Sequence, residues 1–245
     1  MVVRLEVSYD GTDFKGYQIQ TSDPTVQGLI ENAISKVYNQ TIKTFTSGRT
    51  DTGVHAIMQV ISFKTDKNIP EDGLKKALNS LLPPQIRVNK VKYENKSFHA
   101  RFSAKSREYM YVIYNNDDVC PPFFYRYVWH VRGKIKIRKL KKTLKYLKGE
   151  HDFSSFSERT EKDNHVRKII SIKVKKKGKF IYIFIKGNAF LRRMVRVIIG
   201  TCVGIAKSND FQPEFIKDIL KAKNRGKNPF PTAPPNGLYL YKIEF

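Results

Sequence analysis

The feature that most restricts how this chain can fold is a change of hydrophobic period that recurs in the same order in both halves. Val3, Leu5 and Val7 alternate with Arg4, Glu6 and Ser8, the two-residue period of a strand with one buried face, and Asp10-Gly11 stops it. Residues 10 to 24 are polar and glycine-bearing, with Phe14 and Tyr17 embedded, and read as a loop. From near Thr25, Val26, Leu29, Ile30, Ala33, Ile34 and Val37 fall on one helical stripe, with Asp23 or Thr25 placed to cap it. Ile42 to Thr46 and Met58 to Phe63 read as strands. Leu74, Ala77, Leu78 and Leu81 mark a second helix closed by Pro83-Pro84, and Ile86 to Tyr93 reads as a fourth strand. The order is β-α-β-β-α-β, a ferredoxin-like unit.

The second half repeats the order without repeating the residues. Ser106 to Asn115 is a strand apolar on both faces, as when covered on two sides. Leu140, Leu144 and Leu147 mark a lysine-rich amphipathic helix, and Val166 to Val174 and Phe180 to Lys186 form a hairpin across Lys176-Lys177-Gly178-Lys179. A strongly apolar helix follows from about Phe190 to Ala206, then an added one near Pro213 to Lys223, and the closing strand is Gly237 to Phe245. The expectation is an α+β protein of two halves, 1–103 and 104–245. Their antiparallel sheets would join into one extended sheet, which covers otherwise exposed edges, with helices on one face and a binding cleft between the halves.

Charge restricts the partner. The 245 residues carry 46 Lys plus Arg against 22 Asp plus Glu, a formal charge of +24. A lysine-rich surface of thermophilic type brings glutamate in comparable numbers, so the imbalance points to a polyanion, most simply nucleic acid. Basic residues concentrate in Lys134 to Lys148, in Lys173 to Lys179 and at Arg192, Arg193 and Arg196. Arg196 stands out because it sits in Met194-Val195-Arg196-Val197-Ile198, where a charge is costly without a partner, whether an active-site carboxylate or a structural one. No stretch reads as a signal peptide or membrane span, so a cytoplasmic protein is expected. Cys120 and Cys202 are isolated, and the histidines at 55, 99, 130, 151 and 165 show no ligand spacing, so no metal is expected.

The candidate chemistry lies in Ser47-Gly48-Arg49-Thr50-Asp51-Thr52-Gly53-Val54-His55-Ala56, a poor helix and a poor strand between two strand-like segments. An arginine two residues from an aspartate is, alone, more often a structural ion pair closing a turn than a catalytic one. A single carboxylate is too few for metal-assisted phosphoryl chemistry. Glycoside-type hydrolysis needs two, and Asp10 or Asp13 are candidates for the second. A carboxylate nucleophile held ionised by Arg49 or Arg196 also remains, with Tyr109 available to stack on a base taken out of its helix.

The same loop closely resembles the G-R-T-D-A-G-V-H-A signature of the TruA family of tRNA pseudouridine synthases. Further blocks follow in that family's order. They are Tyr9 to Gln18, Thr25-Val26-Gln27, Asn79 to Pro83, Phe98-His99-Ala100-Arg101-Phe102, Arg107-Glu108-Tyr109-Met110-Tyr111, His151-Asp152-Phe153, Phe190 to Arg196 and Gly237-Leu238-Tyr239-Leu240. The resemblance implies that Asp51 is the catalytic nucleophile of uridine isomerisation. It implies that Arg49 and Arg196 organise Asp51 and the flipped nucleotide, that Tyr109 stacks on uracil, and that Leu240, or Leu238, walls the pocket. It further implies a homodimer acting on anticodon-arm positions 38, 39 and 40 of tRNA, with neither metal nor organic cofactor. Thr52 stands where alanine is usual and Tyr17 where tryptophan is common; neither removes a group the chemistry needs. Two other readings suit the charge and the fold: a non-catalytic tRNA-binding or chaperone protein, and a carboxylate-dependent nucleic-acid hydrolase.

Overall fold

The computed structural model describes residues 1–20, 24–158 and 164–245. The chain forms two compact units, Met1–Arg107 with Tyr239–Phe245, and Glu108–Leu238. Both are α+β.

In the first unit, strand β1 (Val2–Tyr9) lies between β3 (His55–Lys64) and β4 (Ile86–Glu94), antiparallel to both. The register places Leu5 opposite Ile61 and Val91, so one face of the sheet is apolar. Val3, Leu5 and Val7 are buried there, while Arg4, Glu6 and Ser8 stay partly exposed on the other face, as the alternation requires. Helix α1 (Val26–Tyr38) covers the apolar face: Val26, Ile30, Ala33, Ile34 and Tyr38 are buried, and the Tyr38 ring meets Phe63 of β3 edge-on at 5.7 Å. Thr25 is its cap, its side chain accepting from Gly28 N–H. The other candidate, Asp23, lies outside the described residues. Helix α2 (Glu71–Leu81) starts with Glu71 and Asp72, whose charges suit the helix N-terminus, and it buries Leu74 and Leu78.

Strand β2 (Phe45–Thr46) is shorter than the expected 42–46. The cause is local: the Thr44 backbone N–H and hydroxyl both donate to the Glu31 carboxylate at 2.8 Å, which diverts the chain from the sheet before Phe45. The closing strand, β10 (Leu238–Glu244), runs parallel to β3, pairing Tyr239 with His55 and Leu240 with Ala56. The end of the chain thus returns to the first unit.

In the second unit the strand order is β5 (Ser106–Asn115), β9 (Phe180–Gly187), β8 (Val166–Lys177) and β7 (Gly149–Asp152), with β6 (Trp129–Val131) parallel to β5. The hairpin β8–β9 pairs Val174 with Ile183 and turns beyond Lys177, three residues later than the apolar pattern ends. Strands β6 and β7 have no counterpart in the sequence reading, being three and four residues long and without alternation. Helix α3 (Ile137–Lys145) buries Leu140 and Leu144, and α5 (Phe215–Ala222) buries Ile216 and Ile219. Helix α4 (Met194–Lys207) is buried along nearly its whole length, as its composition requires. It begins at Met194 rather than Phe190, because Arg193 adopts the left-handed conformation at φ 59°, which ends any helical run reaching it.

Candidate active site

Strands β2 and β3 are antiparallel, with Phe45 opposite Ser62 and Thr46 opposite Ile61, so the residues between them form a long excursion from one sheet edge. Ser47 N–H donates to Val60 O at 2.9 Å and closes its base. Farther out, Val54 N–H donates to Asp51 O at 3.1 Å, giving a turn over residues 51–54. Gly53 occupies its third position at φ 75°, a conformation that favours glycine. Gly48 needs no such freedom. Its carbonyl accepts from Gln59 Nε2 at 2.7 Å and from Thr46 Oγ1 at 3.2 Å.

Gln59 is a polar residue turned fully inward within the apolar stretch Met58 to Phe63, and its partners explain why. Its Oε1 accepts from Ser47 Oγ at 2.9 Å while its amide holds Gly48 O, so one side chain fixes the entry to the loop. The next residue pair is held from β1: the Tyr9 hydroxyl lies 2.7 Å from Thr50 Oγ1. Burial pushes the Tyr9 pKa up to about 12, against the opposing hydrogen bonds from Thr50 and Gln59, so this phenol stays neutral and available for hydrogen bonding. Thr50 O also accepts from Tyr17 N–H at 3.1 Å. From outside, Arg107 Nε donates to Ser47 O at 3.0 Å, and its other nitrogens reach Ala104 O and Arg101 O.

Removing the inner anchor has a calculable cost. Gln59→Leu leaves Ser47 Oγ without its acceptor, although Thr46 still reaches Gly48 O, so a loss of about 1–3 kcal/mol in unfolding free energy is expected. Chemical denaturation of the variant checks this, and stability equal to that of the parent would show that Gln59 does not hold the loop.

The far end of the loop is fixed as firmly. His55 is 2% exposed, and its Nδ1 lies 3.1 Å from both the Gly11 backbone nitrogen and an Asp10 carboxylate oxygen. Its ring stacks on Tyr239 of β10 at 4.8 Å. Between these anchors Arg49 is exposed and Asp51 partly exposed. Thr52 is exposed beside it. Leu240 is fully buried on β10 next to Ala56, so the first unit assembles Arg49, Asp51 and Leu240 at one edge of its sheet.

The remaining sequence candidates belong to the second unit. Tyr109 is buried on β5 and meets Phe190 edge-on at 5.0 Å. Arg196 lies in the first turn of α4, its Nε donating to Ala233 O at 2.8 Å, while Ala233 N–H returns to Arg196 O at 3.1 Å. Neighbouring Tyr111 donates its hydroxyl to Pro234 O; burial drives its pKa well above the usual phenol range, and the Arg196 charge opposes that rise. Arg192 and Arg193, the other cations of this cluster, both pair with Glu158. Leu238 is buried as well.

Gln59, Arg107 and His55 carry no assignment in the sequence reading. Gln59 left a trace, as a polar residue at an inward position of an apolar strand. The other two act on backbone atoms of distant segments, which no residue pattern reports.

An α+β chain that carries an exposed arginine and a partly exposed aspartate on a braced loop, with a large positive charge, has the build of an RNA-modifying enzyme. The model of the family described as tRNA pseudouridine synthase matches residues 6–103 and 143–245. The chain belongs to this family and is an isomerase. Proteins named tRNA pseudouridine synthase A are its relatives along nearly the whole length. That of Pseudothermotoga lettingae is 43% identical, covering 98% of this chain and 97% of its own. That of Borreliella afzelii is 45% identical over 99% and 98%, and that of Oceanobacillus iheyensis 40% over 99% and 96%. No helix among the described residues is long and apolar enough to cross a membrane. Among the same residues no group of three or more His, Cys, Asp or Glu is placed to hold a metal ion.

Proposed function

We propose that this enzyme converts uridine to pseudouridine at positions 38, 39 and 40 of the tRNA anticodon arm, with Asp51 as nucleophile. The observation that carries the reading is the bracing of its loop: Gln59 and Arg107 hold the Gly48 and Ser47 carbonyls, Tyr9 holds the Thr50 hydroxyl, and His55 is tied to Gly11, while Asp51 stays partly exposed. A reacting group held this way spends little of its binding energy on orientation.

The reaction breaks the bond between uracil N1 and ribose C1′, turns the base, and joins C5 to C1′. The proton from C5 leaves and N1 gains one, so no electrons are exchanged and no cofactor is called for. Asp51 adds to the nucleotide as nucleophile and is expelled again before the product leaves, so the carboxylate is regenerated; Arg49 and Arg196 position the carboxylate and the extruded nucleotide, Tyr109 stacks on the uracil ring, and Leu240 forms an apolar wall. An arginine near Asp51 also favours its ionised form. The enzyme works in the cytoplasm as a homodimer whose basic surfaces jointly hold one tRNA, in keeping with the formal charge of +24.

Transcripts carrying uridine at only one of positions 38, 39 and 40, with cytidine at the other two, test the site assignment. Pseudouridine is expected at each of the three in turn. Modification confined to another part of the tRNA would overturn the assignment.

A further inference from the structure

Beside the catalytic loop, the first unit exposes a group of rings that nothing in the reaction described above uses. Phe45 of β2 packs against His99 at 4.6 Å between centroids, and His99 against Phe102 at 4.4 Å. Phe102 is 76% exposed and Phe45 46%, so the outer rings offer their surfaces to solvent and serve no core. The Arg101 guanidinium lies over Phe102 at 5.6 Å.

The group is rigidly mounted. His99 N–H donates to Ser103 Oγ, and Ser103 N–H donates to His99 O, which closes the turn from both sides. Ala100 N–H donates to Ser62 Oγ of β3, and Ser62 is also the register partner of Phe45. Arg107 completes the link, with one nitrogen on Arg101 O and another on Ser47 O, so the rings keep a fixed distance from the loop that carries Asp51.

From this we infer that Phe45, His99 and Phe102, with Arg101, form a stacking platform for an unpaired nucleobase of the RNA flanking the target uridine, with Arg101 on the adjoining phosphate. The inference rests on the reading of this site as one that binds RNA. Its chemistry suits a nucleobase better than a protein side chain. The segment 96–107 holds Lys96, Arg101, Lys105 and Arg107 and no acidic residue, so the rings sit in a field that attracts a phosphate chain. Exposed aromatics beside cations are how single strands are held without reading sequence.

Binding of a tRNA transcript to the full-length protein, measured across a salt series, tests this separately from catalysis. Phe102→Ala removes an exposed ring, and its unfolding midpoint should match the parent's. It is expected to raise Kd roughly 5- to 150-fold, the range for loss of one stacked base, without changing the slope of log Kd against log salt. Phe102→Trp should restore affinity. Arg101→Gln should lower the salt slope by about one phosphate contact. If Phe102→Ala binds within twofold of the parent, or Phe102→Trp fails to restore affinity, the platform is refuted. Loss of affinity in Phe102→Ala from a parent that forms no pseudouridine would instead refute the functional reading and leave the platform standing.

Discussion

Asp51→Asn is expected to abolish pseudouridine formation, with kcat reduced about 10⁴-fold or more, the order seen when a catalytic group acting as part of a unit is removed. The side chain keeps its size but loses its charge and its nucleophilic oxygen. Asp51 closes the loop turn through its carbonyl, which accepts from Val54 N–H and is retained in Asn. The unfolding midpoint of the variant, measured beside the parent's, separates loss of chemistry from loss of fold. Affinity for tRNA should persist, since binding is dominated by phosphate contacts from other residues. Release of tritium from tRNA labelled at uridine C5 follows the reaction directly. Tritium release by the Asp51→Asn variant at more than about a hundredth of the parental rate, far above the loss expected for a missing nucleophile, would remove Asp51 from that role.

Gly11→Ala should do nearly as much damage through structure alone. A Cβ at this position would lie 2.0 Å from Val54 O and 2.5 Å from Val54 C, both backbone atoms at the far end of the loop that carries Asp51. The clash has no flexible side chain to absorb it. Either the Asp10-Gly11 turn or the loop must move, and the bond from Gly11 N–H to His55 Nδ1 goes with it. Overpacking of this kind costs about 1–3 kcal/mol, and displacing the loop by about 1 Å lowers kcat on the order of a hundredfold. Gly73→Ala provides the contrast. It lies inside α2 with its nearest neighbour 3.9 Å from the added Cβ, so it should raise stability by up to about 1 kcal/mol and leave turnover alone. Equal turnover by the parent and Gly11→Ala would show that the close approach of these two segments does not position Asp51.

Hydrophobic period located the main elements because burial on one face is written into it. Strand β5 begins and ends at the residues expected, Thr25 is one of the two caps expected, and Val26, Ile30, Ala33 and Ile34 of the α1 stripe are buried, while Leu29 and Val37 are only partly so. Differences arise where a side chain or a backbone angle outweighs the period. Glu31 draws Thr44 away from β2, and Arg193 in the left-handed region delays α4. The pairing of β10 beside β3 depends on contacts between segments far apart in the chain, such as His55 on Tyr239, which alternation cannot encode.

The proposed reacting groups were legible for a different reason. Arg49 and Asp51 stand in a polar loop with no structural period, and the ordered blocks around them resemble one family. Their supports were barely legible: Gln59 stands out only as a polar residue in an apolar strand, and Arg107 not at all, because both work through the carbonyls of Gly48 and Ser47, and a carbonyl is present at every residue.

Position-resolved mapping of pseudouridine on one unmodified tRNA transcript, treated in parallel with the parent protein and with Asp51→Asn, tests the central claim most directly. Pseudouridine at positions 38 to 40 with the parent, and none with Asp51→Asn at equal occupancy of tRNA, is the result expected. Pseudouridine at those positions with both proteins would contradict it.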